Sequence, residues 1–319
     1  MDRVRLYFKR EPSVLAIYVV LALVLTLWVL SNRNLTTLSV TVTISQKVPL
    51  VLATIGAAIV IIGRGIDLSV GAVLTIANVT IAAGTARFGS SVPWIFVGLG
   101  IALVAGLVNG ICVAYLKLPA LIVTLATQSI LLGTALYILP NPGGAVDRWM
   151  KDLPLLIIAG VPLMLLLLIL VPLLTWYPLQ ATRYGTALRS AGGDAAAAFS
   201  TGINTQRVEM STYVLSAFFA GLGGVVMSMN AGSGDPTIGV PYTLNTIAAC
   251  VLGGVALSGG RGTIAGPIAG ALVISFLGSL LFALDINPYW QYVVTGSLLV
   301  LAIAAPLIIR GISRRKEFA

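Results

Sequence analysis

Residues 42–86 read VTISQKVPLVLATIGAAIVIIGRGIDLSVGAVLTIANVTIAAGTA: two apolar runs, 42–63 and 69–86, separated by Gly63-Arg64-Gly65 and Asp67. Each run is close to the roughly 20 residues that a helix needs to cross a bilayer. The break between them carries glycine, an arginine and an aspartate, which turn a chain and stop a helix. A pair of membrane helices joined by a polar break is therefore the unit from which this chain is read.

The same pattern continues in both directions. Apolar runs at 12–31, 93–115, 119–139, 155–177, 207–230, 242–258, 264–284 and 289–309 bring the expected number of spans to ten. Composition agrees, with 58 % hydrophobic and 9 % charged residues where a soluble domain carries about a quarter charged. The fold class is an all-α integral membrane protein, a single transmembrane domain over 1–319 with no room for a soluble catalytic domain. The stretch after Arg3, Arg5, Lys9 and Arg10 is longer than a signal-peptide core and has no small-x-small cleavage site, so it reads as a retained first span.

Ten spans place both termini on one side, and the basic residues say which. Arg64, Lys117, Arg183, Arg189, Arg207 and Arg261 join the basic residues of segments 1–11 and 310–319 on one face, against Arg33, Arg87, Arg148 and Lys151 on the other, with Lys47 unassigned. Positive charge marks the cytoplasmic face. The net charge of +9 thus reports topology. Nucleic-acid binding would need a compact basic domain, and these charges are strung between spans.

Chemistry is sparse. The chain has no histidine, and its two cysteines, Cys112 and Cys250, lie in apolar runs, so neither a metal centre nor a disulfide framework is expected. The dipeptide Gly-Lys of a phosphate-binding loop is missing, so no nucleotide site and no cofactor are expected in this chain. Asp67 is the acid nearest membrane depth; it reads either as an ion-coupling carboxylate or, as helix-start signals favour, as the cap of the helix that follows. The other acids fall in loops or at span ends, which argues against an ion-driven carrier.

Two features suggest function. Residues 178–206 form a long polar cytoplasmic loop, in which Asp194, the helix formers 195–201 and Gly202 spell a short surface helix. Gly63-Arg64-Gly65 and Gly260-Arg261-Gly262 interrupt the two halves at similar places, and paired interruptions are a mark of repeat-built transporters. Inside the spans, Asn78, Asn109, Thr124, Thr127, Gln128, Asn230 and Asn245 need partners or a wet path. Each alone reads as interhelical glue; together they suit a neutral polyhydroxylated solute. The small-residue pairs Gly106/Gly110, Ala217/Gly221 and Gly266/Gly270 allow close helix approach, within the bundle or at a dimer seam.

The stretches Gly65-Ile66-Asp67-Leu68-Ser69-Val70-Gly71, Asn109 to Leu125, Gly185 to Asn204 and Leu252 to Thr263 resemble, in order and spacing, the permease subunits of ribose-type ATP-binding-cassette (ABC) importers. That resemblance implies about ten helices, with helices 2–5 and 7–10 as related halves. It also implies a dimer with a second permease copy or paralogue, cytoplasmic ATPase subunits that hydrolyse ATP, and a periplasmic solute-binding protein. The segment 194–202 falls where the family's coupling helix meets its ATPase, which assigns Tyr184, Arg189, Asp194, Phe199, Ser200 and Gly202 to that contact. Gly65, Asp67, Ser69, Gly260, Arg261 and Gly262 become gating positions at the breaks, and Asn78, Asn109, Thr124, Gln128, Asn230 and Asn245 the candidate solute path. Import of a monosaccharide or similar small neutral solute across the bacterial inner membrane is the implied activity. A nucleoside, a branched-chain amino acid or a signalling furanone is the alternative cargo, and a channel or ion-coupled carrier the alternative class.

Overall fold

A computed structural model of the chain describes residues 12–32, 35–287, 289–291, 293–294, 296–297 and 300. Its helices are α1 (Pro12–Ser31), α2 (Thr37–Ile62), α3 (Val70–Phe88), α4 (Ser91–Ala114), α5 (Ala120–Ile138), α6 (Arg148–Asp152), α7 (Leu163–Ala181), α8 (Arg183–Gly193), α9 (Ala195–Ser200), α10 (Thr205–Ala231), α11 (Val240–Leu252) and α12 (Ala265–Ala283). Among the described residues, eight are long and apolar enough to cross a membrane: α1 to α5, α7, α10 and α12. The expected span 289–309 falls largely, and the cytoplasmic segments 1–11 and 310–319 fall wholly, outside the described residues.

Three expected elements differ from those observed. The sixth span begins at Leu163, not 155, because a 3₁₀ turn (Leu153–Leu155) and a two-residue hairpin (Ile157–Ile158 with Val161–Pro162) come first. Ala159 and Gly160, at φ 50° and 83°, make the hairpin turn. The region 178–206 carries two helices, α8 and α9, after α7 runs on to Ala181. The apolar run 242–258 yields only the 13-residue α11. It stops there because Gly253-Gly254 closes its end, and residues 253–264 return as a glycine-rich excursion.

The core is built round α10, which packs along α2, α3 and α4. Small residues allow it. A Cβ on Gly56 of α2 would stand 2.8 Å from Ser216 Cα, one on Gly224 2.4 Å from Leu74 O of α3, and one on Gly106 of α4 2.6 Å from Ala217 Cβ. The pairs Gly106/Gly110 and Ala217/Gly221 thus form one seam inside the chain, where small side chains let backbones approach in the absence of a hydrophobic drive. Gly266 and Gly270 of α12 likewise meet Gly253 and Ala249. The first helix lies outside this group, its Ile17, Leu21, Val24 and Trp28 buried on α12.

The breaks are C-terminal helix caps of one kind. After α2, Arg64 N–H donates to Ile61 O and Gly65 N–H to Val60 O; after α11, Gly254 N–H donates to Val251 O and Val255 N–H to Cys250 O. Both are Schellman motifs with a left-handed residue at the turn, Arg64 at φ 72° and Gly254 at φ 81°. The local repeat therefore matches Ile62–Gly65 with Leu252–Val255, seven residues upstream of where the two Gly-Arg-Gly tripeptides would put it, and the second tripeptide has another task. Gly260 N–H donates to Ile62 O at 2.8 Å, so the second break docks on the end of the first.

Helix α8 closes this junction. A Cβ on Gly192 would stand 2.0 Å from Ile62 O and 2.9 Å from Gly260 N, whereas one on Gly193 would find only Gly260 Cα at 3.9 Å. Gly192→Ala should therefore destabilise the protein by about 1–3 kcal/mol or more, through enforced backbone separation. Gly193→Ala should stay within about 0.5 kcal/mol of the parent. Thermal unfolding of the two purified variants in one detergent reads the difference.

Candidate functional site

The arm formed by α8 and α9 is tied to the bundle by its first helix and exposed along its second. Leu188 of α8 is buried in the main core. Arg189 Nη1 donates to Leu179 O at 2.7 Å, and the Tyr184 hydroxyl lies 2.8 Å from Ser211 Oγ of α10. Burial pushes the Tyr184 hydroxyl above its ordinary range, so that contact keeps its proton at neutral pH. Asp194 caps α9, its Oδ1 accepting from Ala196 N–H and Ala197 N–H at 3.0 Å each. Gly202 ends the turn at φ 84°, a backbone region costly for any residue with a Cβ.

Of the six residues assigned to the contact, then, Tyr184 and Arg189 face the bundle and anchor the arm. Asp194 and Gly202 fix the ends of α9, and Ser200 Oγ turns back to Ala196 O. Phe199 is the one that projects, 70 % exposed on a polar face. A large exposed aromatic on a rigid, short helix is what a partner surface recognises.

At the first break, Asp67 is buried and fully engaged. Its Oδ1 accepts from Ser69 N–H (2.9 Å) and Ser69 Oγ (2.6 Å), and its Oδ2 from Ser216 Oγ of α10 at 2.8 Å. Asn109 Nδ2 donates to Ser69 Oγ at 3.0 Å, and Thr127 Oγ1 donates to Asn109 Oδ1 at 2.6 Å. The helix starts one residue after Ser69, whose side chain does not cap it. The simple N-cap reading of Asp67 thus gives way to a clasp: the carboxylate orders the turn into α3 and ties it to α10, α4 and α5. Gly65 lies beneath it, where a Cβ would stand 2.5 Å from the Tyr213 hydroxyl oxygen. Arg261 and Gly262 lie on the excursion that brings Gly260 to Ile62, Arg261 exposed and Gly262 at φ 123°.

The candidate path residues separate into two kinds. Asn109 belongs to the clasp. Asn78 donates to Ser228 Oγ and Ser233 O, both at 3.0 Å, and accepts from Asp235 N–H at 2.9 Å. Asn230 exchanges hydrogen bonds with Ser45, through Ser45 Oγ and Ser45 O. Thr124 bonds back to Ala120 O. These four are structural ties. Gln128 and Asn245 are half-buried, and their side chains have no hydrogen bond among the described residues.

One interior residue was left unassigned by the charge pattern. Lys47 of α2 is 5 % exposed, donates to Ser279 Oγ of α12 at 2.6 Å and sits 5.3 Å from the centroid of the Phe276 ring. A lysine in mid-span costs about 3 kcal/mol on insertion scales. The argument for a neutral solute rests on an interior free of fixed charge, and Lys47 removes that premise. Sequence patterning missed it because a single lysine among apolar residues reads equally as a misplaced span end.

A helical bundle with membrane-crossing lengths, interrupted spans and a polar arm keyed to the interruption is a polytopic permease. The chain belongs to the family described as branched-chain amino acid transport system / permease component, whose model matches residues 39–303. It is similar to the ribose import permease protein RbsC of Escherichia coli K12, 31 % identical over 307 residues, 93 % of each chain. It is also similar to the fructose import permease protein FrcC of Rhizobium meliloti, 32 % identical over 85 % of this chain and 78 % of that one. A third relative is the autoinducer 2 import system permease protein LsrC of Yersinia pseudotuberculosis, 30 % identical over 89 % of this chain and 82 % of that one. No solved structure matches. The chain is therefore a ribose-type ABC permease, a multi-pass protein of the bacterial inner membrane.

The clasp is tested by two substitutions. Asp67→Asn keeps an acceptor, and the hydroxyls of Ser69 and Ser216 can rotate to meet its amide, so folding should weaken by about 1 kcal/mol. Asp67→Ala strands Ser69 and Ser216 and should lose about 2–4 kcal/mol. Thermal unfolding of both variants against the parent decides, and equal loss would show that the carboxylate charge matters and the acceptor geometry does not.

Proposed function

We propose that the chain is the membrane-spanning subunit of an ATP-driven importer that moves a monosaccharide, or a small polar solute of similar kind, from the periplasm to the cytoplasm. The observation that carries this reading is the arm: Phe199 stands exposed on α9, while α8 is locked by Gly192 onto the junction of the two breaks. A push on Phe199 reaches the end of α2, and Gly260 on the excursion that follows α11, through α8. The relatives support the class of cargo, since their names include ribose, fructose and autoinducer 2 import.

On this reading, cytoplasmic ATPase subunits dock at α9, a periplasmic binding protein delivers the solute to the opposite face, and a second permease copy or paralogue completes the path. ATP-driven closure of the ATPase subunits shifts the arm and biases the helices between outward-open and inward-open arrangements. An ion-coupled carrier is disfavoured by Asp67, the interior carboxylate, whose oxygens are occupied by Ser69 and Ser216.

Reconstitution with the cognate ATPase and binding protein tests the reading. Solute uptake into proteoliposomes should require both ATP and the binding protein, and uptake by the permease alone would overturn it. Phe199→Ala should leave the thermal midpoint of the permease unchanged and reduce transport-coupled ATP hydrolysis about 5- to 30-fold, as truncating a central aromatic anchor does. Replacing Asp194–Gly202 by a glycine-serine stretch should abolish coupling with membrane insertion intact.

A further inference from the structure

We propose that the cavity between α1, α2 and α12 is a binding site for a small polyhydroxylated carboxylate, such as a sugar acid, with Lys47 holding the carboxylate. The proposal rests on the transport reading above and adds the charge of the solute to it. The cavity has a volume of about 750 Å³, within the range of small-molecule sites. It is lined by the end of α1 (Trp28), the connection that follows it (Asn32, Leu35, Thr36), the first half of α2 (Leu38 to Lys47) and the last half of α12 (Ser275 to Phe282). All three helix ends are those opposite the basic loops, so the cavity faces the periplasm.

Among the described residues that line it, Lys47 is the one cation. One of its N–H groups goes to Ser279 Oγ; the other two donate to no protein acceptor among the described residues. Ion pairs among the described residues are Lys117 with Glu209 and Arg148 with Asp152, so no carboxylate among the described residues pairs with Lys47. A buried lysine with donors to spare and no carboxylate beside it among the described residues suits an anionic group of a ligand. Thr43, Gln46, Ser275 and Gln291 line the same space and offer hydrogen bonds to hydroxyl groups. A carboxylate with several hydroxyls matches that set.

An anionic lipid headgroup carries the same chemistry, and Leu38 and Phe282, exposed at the rim, would suit acyl chains. Depth favours the solute. Lys47 lies ten residues along α2 from Thr37, about 15 Å below the outer end of the helix at 1.5 Å per residue. A headgroup at the interface does not reach that far into hydrocarbon about 30 Å thick.

The test uses the full chain in phosphatidylcholine nanodiscs, titrated calorimetrically with D-galacturonate, D-gluconate and the neutral D-galactose. At least one acid should bind one per chain and tenfold or more tighter than galactose. Lys47→Met should weaken that acid at least tenfold, and Lys47→Arg should bind within about threefold of the parent. Acid and neutral sugar binding alike, neither acid binding, or Lys47→Met binding as the parent does would each overturn the proposal. A measurement on the parent chain covers a methionine variant that does not fold. Acetylation of Lys47 by acetic anhydride, read by mass spectrometry, should fall at least fivefold with the acid but not with galactose; equal labelling overturns it. Phosphatidylglycerol giving the same Lys47-dependent protection and excluding the acids would assign the site to lipid and sink the solute reading. ATP-dependent uptake is untouched by any of these failures, so the transport reading stands or falls separately.

Discussion

The arrangement depends on how the last turn of α2 disposes of its carbonyls. A helix end leaves four without intrahelical donors, and in a membrane protein each must find one. Gly63, Gly65 and Arg64 supply N–H groups to Ile59, Val60 and Ile61, and the fourth carbonyl, Ile62 O, takes Gly260 N–H from the far half of the chain. The hydrogen bond that completes the first break thus belongs to the second. The first interruption is not finished without the second, whereas the end of α11 is closed by its own Gly253, Gly254 and Val255 N–H groups.

That shared bond also positions the arm. Gly192 lies against Ile62 O with no room for a methyl group, and Gly259 lies against the Cα and Cβ of Arg64. Arg64 itself holds a left-handed conformation that costs a residue with a Cβ about 1–2 kcal/mol, while its counterpart in the second break is glycine. The strain is tolerated at the point where three segments meet. Gly192 of α8 thus meets the end of α2 and the excursion that follows α11 at a single point.

Polar residues in the interior fall into ties and exceptions. Asp67, Ser69, Asn109 and Ser216 satisfy one another, as do Asn78 with Ser228 and Asn230 with Ser45, and a satisfied buried network fixes helices without inviting a ligand. Lys47 departs from this, with one side-chain acceptor and an aromatic face in place of a counter-ion. Its partners stand on α12, 232 residues away along the chain.

The membrane class and the breaks at Gly63–Gly65 and near Gly260 were legible in the sequence, because hydrophobic length and glycine punctuation are local signals set by lipid and by backbone geometry. So was the short helix after Asp194, a cap followed by helix formers. Tertiary structure alone decided the rest. It moved the local repeat from the second Gly-Arg-Gly to Gly253-Gly254, turned most of the interior asparagines into ties, and gave Tyr184 and Arg189 to the bundle while leaving Phe199 outside. It also placed Lys47 over a cavity. Each of these depends on which distant backbone or side chain faces a residue, and an apolar sequence, whose helices are hydrophobic all round, carries no periodicity from which those facings can be read.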